Sequence, residues 1–398
     1  MRLDELADLN MGQSPVGESL NESNGIEFHQ GKVFFGELSL GVSPIKTSAP
    51  TKLAKPGDIL ICVRAPVGVV NIIDREVCIG RGLAALTPKT GVPARFLLHL
   101  LRYHQTDIEQ IATGSTFASI TTEQLRSVEF PVPNEDARLR IAGILGSLDE
   151  KIELNHRRIV ELEALAKTIY DYWFVQFDFP DANGKPYKSS GGKMVWNEQL
   201  KQDVPEGWEI GTVGKYVEIH RGASPRPIQD YLSSEGLRWL KIADATNTSS
   251  PFIFEIEDHI RKEGQVYTVS LKTGDLVLSN SASPGIPKFL GVDSCIHDGW
   301  LYFPKSMLSY EYLFLFFEVS RASLVPQGNG SVFKNLKTDI LKIFPMIKPQ
   351  DSVLAQFDSI AKHIFENIRL TAENNVVLTK QRDTLLPLLM NGQVEVAR

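Results

Sequence analysis

The fold is decided by residues 145–173, which read LGSLDEKIELNHRRIVELEALAKTIYDYW. Spacings of three and four alternate through the seam Leu145, Leu148, Ile152, Asn155, Ile159, Leu162, Ala166, Ile169 and Trp173. This heptad pattern predicts a long helix that packs lengthwise against another helix. Asn155 is the polar member of the seam, and such a residue commonly fixes the register of a pair at some cost in stability.

A partner helix is predicted near the end of the chain, from about 354 to 390. Its seam positions are Ile364, Ile368, Thr371, Leu378, Leu385 and Leu389. Asn375 and Arg382 weaken this seam, and Pro387 is expected to kink or stop the helix. Because each helix supplies one comparable seam, we predict an antiparallel pair within the chain, with a homodimer as the alternative.

Short motifs that occur twice in the same order indicate a duplicated domain. The first set is 12–15 (GQSP), 55–60 (KPGDIL), 114–117 (GSTF) and 130–131 (FP), and the second is 222–225 (GASP), 272–277 (KTGDLV), 330–333 (GSVF) and 344–345 (FP). The distance between the copies is far longer than the roughly 20–50 residues of a solenoid repeat.

These patterns divide the chain into five segments. Residues 1–133 (the first module) and 209–349 (the second module) are predicted to be similar and mostly β. Residues 134–177 and 350–398 are the two long helices, and 178–208 form a polar connector. We therefore predict an α+β fold with two mostly-β domains, separated by an antiparallel coiled-coil pair in a pseudo-twofold repeat.

Local patterns support the mostly-β character of the first module. Runs of β-branched residues at 59–63 and 69–73 predict strands, and Pro56-Gly57 predicts a turn before the first of them. Residues 94–111 have helical spacing and predict a single helix.

Composition favours an ordinary cytoplasmic protein. The 42% hydrophobic and 23% charged content is typical of soluble domains. The longest apolar run, 312–317, is too short to span a bilayer, and the first residues lack an apolar signal region. Cys62, Cys78 and Cys295 are too widely spaced for a disulfide framework or a zinc site, so buried thiols are expected.

The sequence predicts no catalytic site. Residues 191–194 (GGKM) lack the other elements of a phosphate-binding loop, and no metal-binding histidine pair is present. His99, His104 and His220 are predicted to be surface or boundary residues. The net charge of −6 also lacks the basic excess of a free-standing DNA binder, so any DNA surface must be a local basic patch or be completed by a partner.

The order and duplication of the motifs resemble the specificity subunits of Type I restriction-modification systems, over essentially the whole chain. The matching strings are 63–68 (VRAPVG), 78–83 (CIGRGL), 114–117 (GSTF), 130–133 (FPVP), 172–175 (YWFV), 186–192 (PYKSSGG) and 205–208 (PEGW). The second module departs from the pattern at 279–285 (SNSASPG), which suits a module that reads a different sequence.

The resemblance implies a non-catalytic reader of double-stranded DNA, with each module recognising one half of a bipartite, asymmetric target. It implies two methyltransferase subunits that bind S-adenosylmethionine and methylate adenine, and motor-nuclease subunits that dock on that core. It implies no cofactor in this chain and no membrane partner. Residues 145–173 would form a helix about 43 Å long. Since one turn of B-DNA is about 34–36 Å, the helices could act as a ruler for the spacer.

Loop donors and acceptors are the candidates for DNA contacts. In the first module they are Gln13, Ser14, Arg64, Arg81, Ser115 and Thr116. In the second they are Arg221, Ser224, Arg226, Asn280, Ser281, Asn329 and Ser331, with Lys288 and Lys334 assigned to phosphate. The alternative for each is a solvated charge or a turn residue. The glycines Gly12, Gly114, Gly222 and Gly330 are expected to be needed for backbone shape.

Two other functions fit parts of the sequence. A protein-interaction scaffold with paired β modules suits the acidic charge, and a shift of duplex DNA by the protein would exclude it. A fragment of a fused restriction-methylation enzyme would need an S-adenosylmethionine fold and an acidic-aromatic catalytic motif, and neither is in the sequence.

Overall fold

The computed structural model describes residues 1–113, 118–198, 200–325 and 335–394. The chain forms two compact units. The first unit comprises Met1–Glu153 with Val377–Arg398, and the second comprises Leu154–Val376. Each of the two long helices contributes to both units.

In both modules of the described residues, long runs of β-strands are followed by α-helices. The α-helices are α1 Leu3–Leu6, α2 Ala94–Tyr103, α3 Gln105–Ile111, α4 Thr122–Ser127, α5 Glu135–Tyr170, α6 Val213–Tyr216, α7 Ile242–Asn247, α8 Tyr310–Leu324, α9 Thr338–Ile343 and α10 Asp351–Met390. The strands of the first unit are β1 Ala7–Met11, β2 Leu20–Asn21, β3 Ile26–His29, β4 Lys46–Thr47, β5 Leu53–Ala54, β6 Ile59–Cys62, β7 Val70–Ile72, β8 Val77–Ile79 and β9 Leu83–Pro88. Those of the second are β10 Met194–Asn197, β11 Gln202–Pro205, β12 Glu209–Thr212, β13 Val217–Arg221, β14 Leu232–Ser233, β15 Leu237–Leu240, β16 Phe252–Ile253, β17 His259–Ile260, β18 Val269–Leu271, β19 Leu276–Ser279, β20 Pro287–Leu290, β21 Ser294–Ile296, β22 Trp300–Ser306 and β23 Pro345–Lys348.

The duplication predicted from the motifs is confirmed by sheet topology. In the first unit, one sheet has the order β1-β9-β6-β7 and the other β2-β4-β3-β8-β5. In the second unit, the corresponding sheets have the orders β13-β22-β19-β20-β16 and β14-β17-β15-β21-β18. The order is the same strand for strand, apart from β16, which pairs in parallel with β20. The predicted α+β fold is therefore correct.

The two long helices run antiparallel within each unit, as the seams predicted. In the second unit, Asn155 of α5 donates to Asn375 of α10 at 2.8 Å, while the ring of Trp173 lies 5.9 Å from that of Phe357. An early residue of one helix thus meets a late residue of the other. In the first unit, Leu145 and Leu389 belong to one apolar core.

The polar positions of the seam pair with each other. Asn155 is buried and donates to both Asn374 (3.1 Å) and Asn375 (2.8 Å). Two amides that weaken separate apolar seams therefore satisfy each other at one level of the pair, which fixes the register. Pro387 does not stop α10, which continues to Met390.

The segment from 94 to 111 is two helices, because the backbone leaves helical geometry at His104 (φ −98°, ψ 18°). Nδ1 of His104 lies 2.7 Å from Oδ2 of Asp107, in the first turn of α3. The three cysteines are buried free thiols, as predicted.

His99 is a correction to the sequence analysis, which placed it at the surface. It lies on the core face of α2 and is fully buried. Its Nε2 lies 2.8 Å from Oδ2 of Asp149 on α5, which is also fully buried. The carboxylate offsets the cost of burying the polar ring. Helical spacing carries no information about that partner, so it could not show that His99 lies in the core.

The connector is ordered by aromatic packing. Phe179 stacks on Tyr187 (ring centroids 4.6 Å apart) and on Trp208 (5.1 Å). Strands β10 and β11 then form an antiparallel hairpin. A few aromatic residues thus anchor a stretch that is polar in composition.

Candidate nucleic-acid interface

In the first module, the loop after β1 lies against the turn that joins β8 to β9. The amide of Gly12 donates to the carbonyl of Leu83 at 2.9 Å. A Cβ at Gly12 would lie 2.2 Å from the carbonyl oxygen of Gly80, so only glycine permits this approach. The amide of Arg81, at the tip of the turn, donates to Oγ of Ser14 at 3.4 Å. The side chains of Gln13 and Arg81 are exposed beside each other's loops.

The second module repeats this arrangement. The amide of Gly222 donates to the carbonyl of Trp300 at 2.9 Å, and a Cβ there would lie 2.2 Å from the carbonyl oxygen of His297. The amide of Asp298 donates to Oγ of Ser224 at 3.4 Å. The contacts therefore make Ser14 equivalent to Ser224, and Arg81 equivalent to Asp298.

Asp298 brings together four of the residues predicted for the second module. Its carboxylate accepts from Oγ of Ser224 at 2.8 Å and from Nη2 of Arg226 at 3.1 Å. Its backbone carbonyl accepts from Nε of Arg221 at 2.5 Å and from Nδ2 of Asn280 at 3.1 Å. The sequence analysis named these four donors but not Asp298, the residue that accepts from all of them.

The charge state of this cluster follows from its contacts. Partial burial raises the pKa of Asp298, but the hydrogen bond from Ser224 and the charges of Arg221 and Arg226 outweigh burial, and the net pKa is lowered. The carboxylate is therefore ionised near neutral pH. Arg226 remains 78% exposed, so most of its N–H donors face solvent.

Arg64 lines a cleft in the first module. The cleft is bounded by Gln30, Gly31, Lys32, Cys62, Arg64, Ala65, Pro66 and Gly82. Because Gly82 directly follows Arg81 in the chain, the cleft lies next to that residue. Arg64 and Lys32 add two further cations to it. Sequence reasoning missed Gln30 and Lys32, because they follow β3 and come to Gly82 only through the pairing of β3 with β8.

Three predicted residues of the second module are placed differently from expectation or only partly exposed. Lys288 is a correction: its ammonium is buried and donates to the carbonyls of Thr248 (3.0 Å) and Ser250 (2.5 Å). Burial lowers its pKa to about 8, and a group held in this way does not reach a surface phosphate. Asn280 is also buried and holds the carbonyl of Asp298 rather than facing solvent, while Ser281 is half-buried.

The remaining predicted contacts, Ser115, Thr116, Asn329, Ser331 and Lys334, lie outside the described residues, as do Gly114 and Gly330. In the part of the chain that is described, no group of three or more His, Cys, Asp or Glu side chains is placed to hold a metal ion. Across the same residues, we find no helix of the length and apolarity needed to cross a membrane.

Comparison with known proteins shows which proteins the chain is similar to. Residues 1–164 match the family model described as Type I restriction modification DNA specificity domain. A specificity subunit of the Type I restriction enzyme MjaIX, from Methanocaldococcus jannaschii, is 25% identical over 372 residues, which cover 91% of this chain and 83% of the relative. Residues 1–164 thus resemble that specificity domain, and the chain as a whole is similar to a Type I specificity subunit over most of its length.

Two further specificity subunits extend the comparison. The one of the HindI enzyme from Haemophilus influenzae is 22% identical over 406 residues, covering 86% of this chain and 88% of that protein. A crystal structure of the Type I S subunit from M. genitalium superimposes with a TM-score of 0.61 at 18% identity, covering 98% of this chain and 95% of that one. The chain therefore has the same fold as that protein.

Proposed function

We propose that the chain is the non-catalytic DNA reader of a Type I restriction-modification complex, in which each module recognises one half of a bipartite, asymmetric site in double-stranded DNA. The observation that carries the proposal is that the two modules share one topology but present different side chains at the tips of equivalent turns. The modules share strand order and the glycine and serine contacts of the loops, but Arg81 stands where the other module has Asp298. Groups of opposite charge at equivalent positions suit two different half-sites.

The partners we propose are two methyltransferase subunits, which bind S-adenosylmethionine and methylate adenine, together with motor-nuclease subunits that act on the same DNA. Apolar side chains left in solvent support docking on the long helices: on α5, Leu139, Leu154 and Val160 are 55%, 51% and 64% exposed. A partner docked along α5 would remove these side chains from water, which is favourable. A reader of cellular DNA with these partners would work in the cytoplasm and needs no cofactor of its own.

Partners also account for the acidic charge of the chain. The net charge is −6, and phosphate contacts usually supply most of the affinity of a DNA complex. We propose that the methyltransferase subunits supply many of the phosphate contacts, while Arg64, Lys32 and Arg81 form a local basic surface on the first module.

The test is a genome-wide map of methylated adenines in a strain that carries the chain with its methyltransferase subunit. A control strain carries the methyltransferase alone. We expect methylation only when the chain is present, in a split motif with a fixed gap. Methylation in the control strain, or a continuous motif, would show that the chain is not a bipartite reader.

The ruler hypothesis has a separate test. Seven residues inserted into both α5 and α10 add about 10.5 Å at 1.5 Å per residue, which corresponds to about three base pairs at 3.4 Å each. We expect the gap to lengthen by about that amount. The matched control inserts seven residues after Gly184, in the exposed turn of the connector, and should leave the gap unchanged. An unaltered gap in the helix variant would refute the hypothesis.

A further inference from the structure

The tip of the turn between the two sheets carries opposite charges in the two modules, Arg81 in the first and Asp298 in the second. In both modules, a serine hydroxyl accepts from the amide of the tip residue at 3.4 Å. The tip side chain takes no part in that contact. The backbone can therefore stay the same while Arg81 is exchanged for an aspartate.

The residue after the tip cannot vary in this way. A Cβ at Gly82 would lie 2.1 Å from the carbonyl oxygen of Gln30. At Gly299 it would lie 2.2 Å from the imidazole of His297 and 2.7 Å from Oγ of Ser281. The position after the tip is therefore glycine in both modules, held by a backbone carbonyl in the first and by two side chains in the second. Chemical variety in the turn lies at the tip and at the residue before it, which is Gly80 in one module and His297 in the other.

The two tips present different hydrogen-bonding groups. In the described part of the chain, no acidic side chain lies within salt-bridge distance of Arg81, so its guanidinium faces outward with its N–H donors available. The carboxylate of Asp298 is instead occupied by Ser224 and Arg226. Arg221 is 53% exposed, and its Nη2 lies 3.8 Å from the same carboxylate. Arg226 is the more exposed of the two arginines at 78%, and only its Nη2 bonds the carboxylate, so its other N–H donors face outward.

We propose that this tip is a specificity-determining position in both modules, by two different routes. Arg81 contacts a base edge directly, and a guanine O6/N7 pair is the edge that suits a guanidinium. Asp298 is a positioning residue: it holds Arg226 in one conformation, and Arg226 makes the corresponding contact in the second half-site. The inference rests on the proposed function, since it requires that the modules read DNA.

Positioning should affect discrimination more than overall affinity. An arginine already held in its bound conformation loses less conformational freedom on binding, an effect of about three- to ten-fold in affinity for one side chain. The benefit is largest with the correct base, because only that base accepts both N–H groups. Removing the Asp298 charge should therefore lower the preference for one base pair by about three- to ten-fold.

The experiment uses the purified complex of the full chain with its methyltransferase subunits. Affinities are measured at fixed salt for duplexes that carry each single base change in each half-site. Asp298→Asn keeps the shape of the side chain and removes its charge. We expect relaxed preference at one base pair of the second half-site, with the first half-site unchanged. Arg81→Gln should relax the preference at one base pair of the first half-site and leave the second half-site unchanged. The matched control, Asp293→Asn, changes an exposed carboxylate nearby that pairs with Lys272 at 2.7 Å, and should alter neither half-site.

A double-mutant cycle separates positioning from a structural role. If Asp298 acts through Arg226, Asp298→Asn should have no further effect on base preference in an Arg226→Ala background. Equal loss of affinity for every duplex, or the same effect in both backgrounds, would overturn the proposal. Should Asp298→Asn fail to fold, Arg226→Ala tests the same base pair alone, because that side chain is 78% exposed, and unchanged preference would again be contrary. A wild-type complex with no split motif would instead refute the proposed function itself.

Discussion

Asp149→Ala should destabilise the first unit while leaving the second unit nearly unchanged. Asp149 lies on α5 and is fully buried. Its Oδ2 lies 2.8 Å from Nε2 of His99 and 3.5 Å from Nη1 of Arg95. Its Oδ1 lies 3.6 Å from Nη1 of Arg382 on α10. One carboxylate therefore joins α2 and both long helices inside the first unit.

The magnitude follows from what the substitution leaves behind. Removing one member of a buried ion pair typically costs about 3–5 kcal/mol, because the partner charge remains buried. Here the remaining cations keep other partners: Arg382 contacts Glu37 at 2.9 Å, and Arg95 contacts Glu153 at 3.5 Å. We therefore expect a loss at or just below the lower end of that range, about 2–3 kcal/mol.

The five tryptophans, Trp173, Trp196, Trp208, Trp239 and Trp300, all lie in the second unit, which allows the units to be measured separately. Tryptophan fluorescence during urea unfolding follows the second unit, and hydrogen exchange of peptides from α2 follows the first. The control is Glu150→Ala, an exposed residue next in the helix, for which we expect a change within about 0.5 kcal/mol. The reasoning is refuted if Asp149→Ala changes the opening free energy of α2 no more than this control does.

Three further predictions use the same measurements. Gly222→Ala places a Cβ 2.2 Å from a backbone carbonyl, so tryptophan fluorescence should show a loss of about 1–3 kcal/mol; an unchanged urea midpoint would mean that the loop moves freely. Asn155→Ala removes donors to Asn374 and Asn375 at 3.1 and 2.8 Å and should cost about 1–3 kcal/mol in the second unit, unless solvent reaches those amides. Burial raises the pKa of Glu163 to about 7 from 4.5, so the folded state binds the extra proton and stability should fall as pH rises from 4.5 to 7. Glu163→Gln should flatten that slope in urea titrations at several pH values, whereas the exposed control Glu161→Gln should keep it.

The helix pair and the duplication could be predicted because each is a local signal. Spacings of three and four residues along 145–173 follow from helix geometry alone, and repeated turn motifs mark the same places in each module. The loops of Ser14 and Ser224 could also be recognised as equivalent, since each serine is the third residue of a Gly-x-Ser-Pro motif.

Asp298 could not be predicted from the same kind of signal. Its partners Ser224 and Arg226 are 74 and 72 residues away in the chain, and they meet it only because β13 pairs with β22. A charged residue in a turn is ordinarily expected to be exposed to solvent. Placing 78–82 (CIGRG) beside 295–299 (CIHDG) would have exposed the exchange of Arg81 for Asp298.

The burial of single polar residues could also not be predicted from the sequence. Lys288 has the pattern of a surface cation, but carbonyls 38 and 40 residues away satisfy its ammonium. His99 is inside because Asp149, 50 residues later, compensates it. In both residues, the cost of burial is offset by a partner that tertiary structure supplies. The spacing of residues along the sequence does not indicate that partner.

The last helix has a consequence for how the first unit is completed. Residues 377–390 of α10 belong to that unit, although the other part of it ends at Glu153. Leu389 and Met390 are buried in the same apolar core as Phe96 and Leu145. Arg382, with a side chain only 6% exposed, meets Asp149 in the same unit. The first unit therefore lacks part of its apolar core and one of its buried counter-charges until α10 is in place. Because apolar contact and charge compensation are both required there, the first module depends on the end of the chain for its stability.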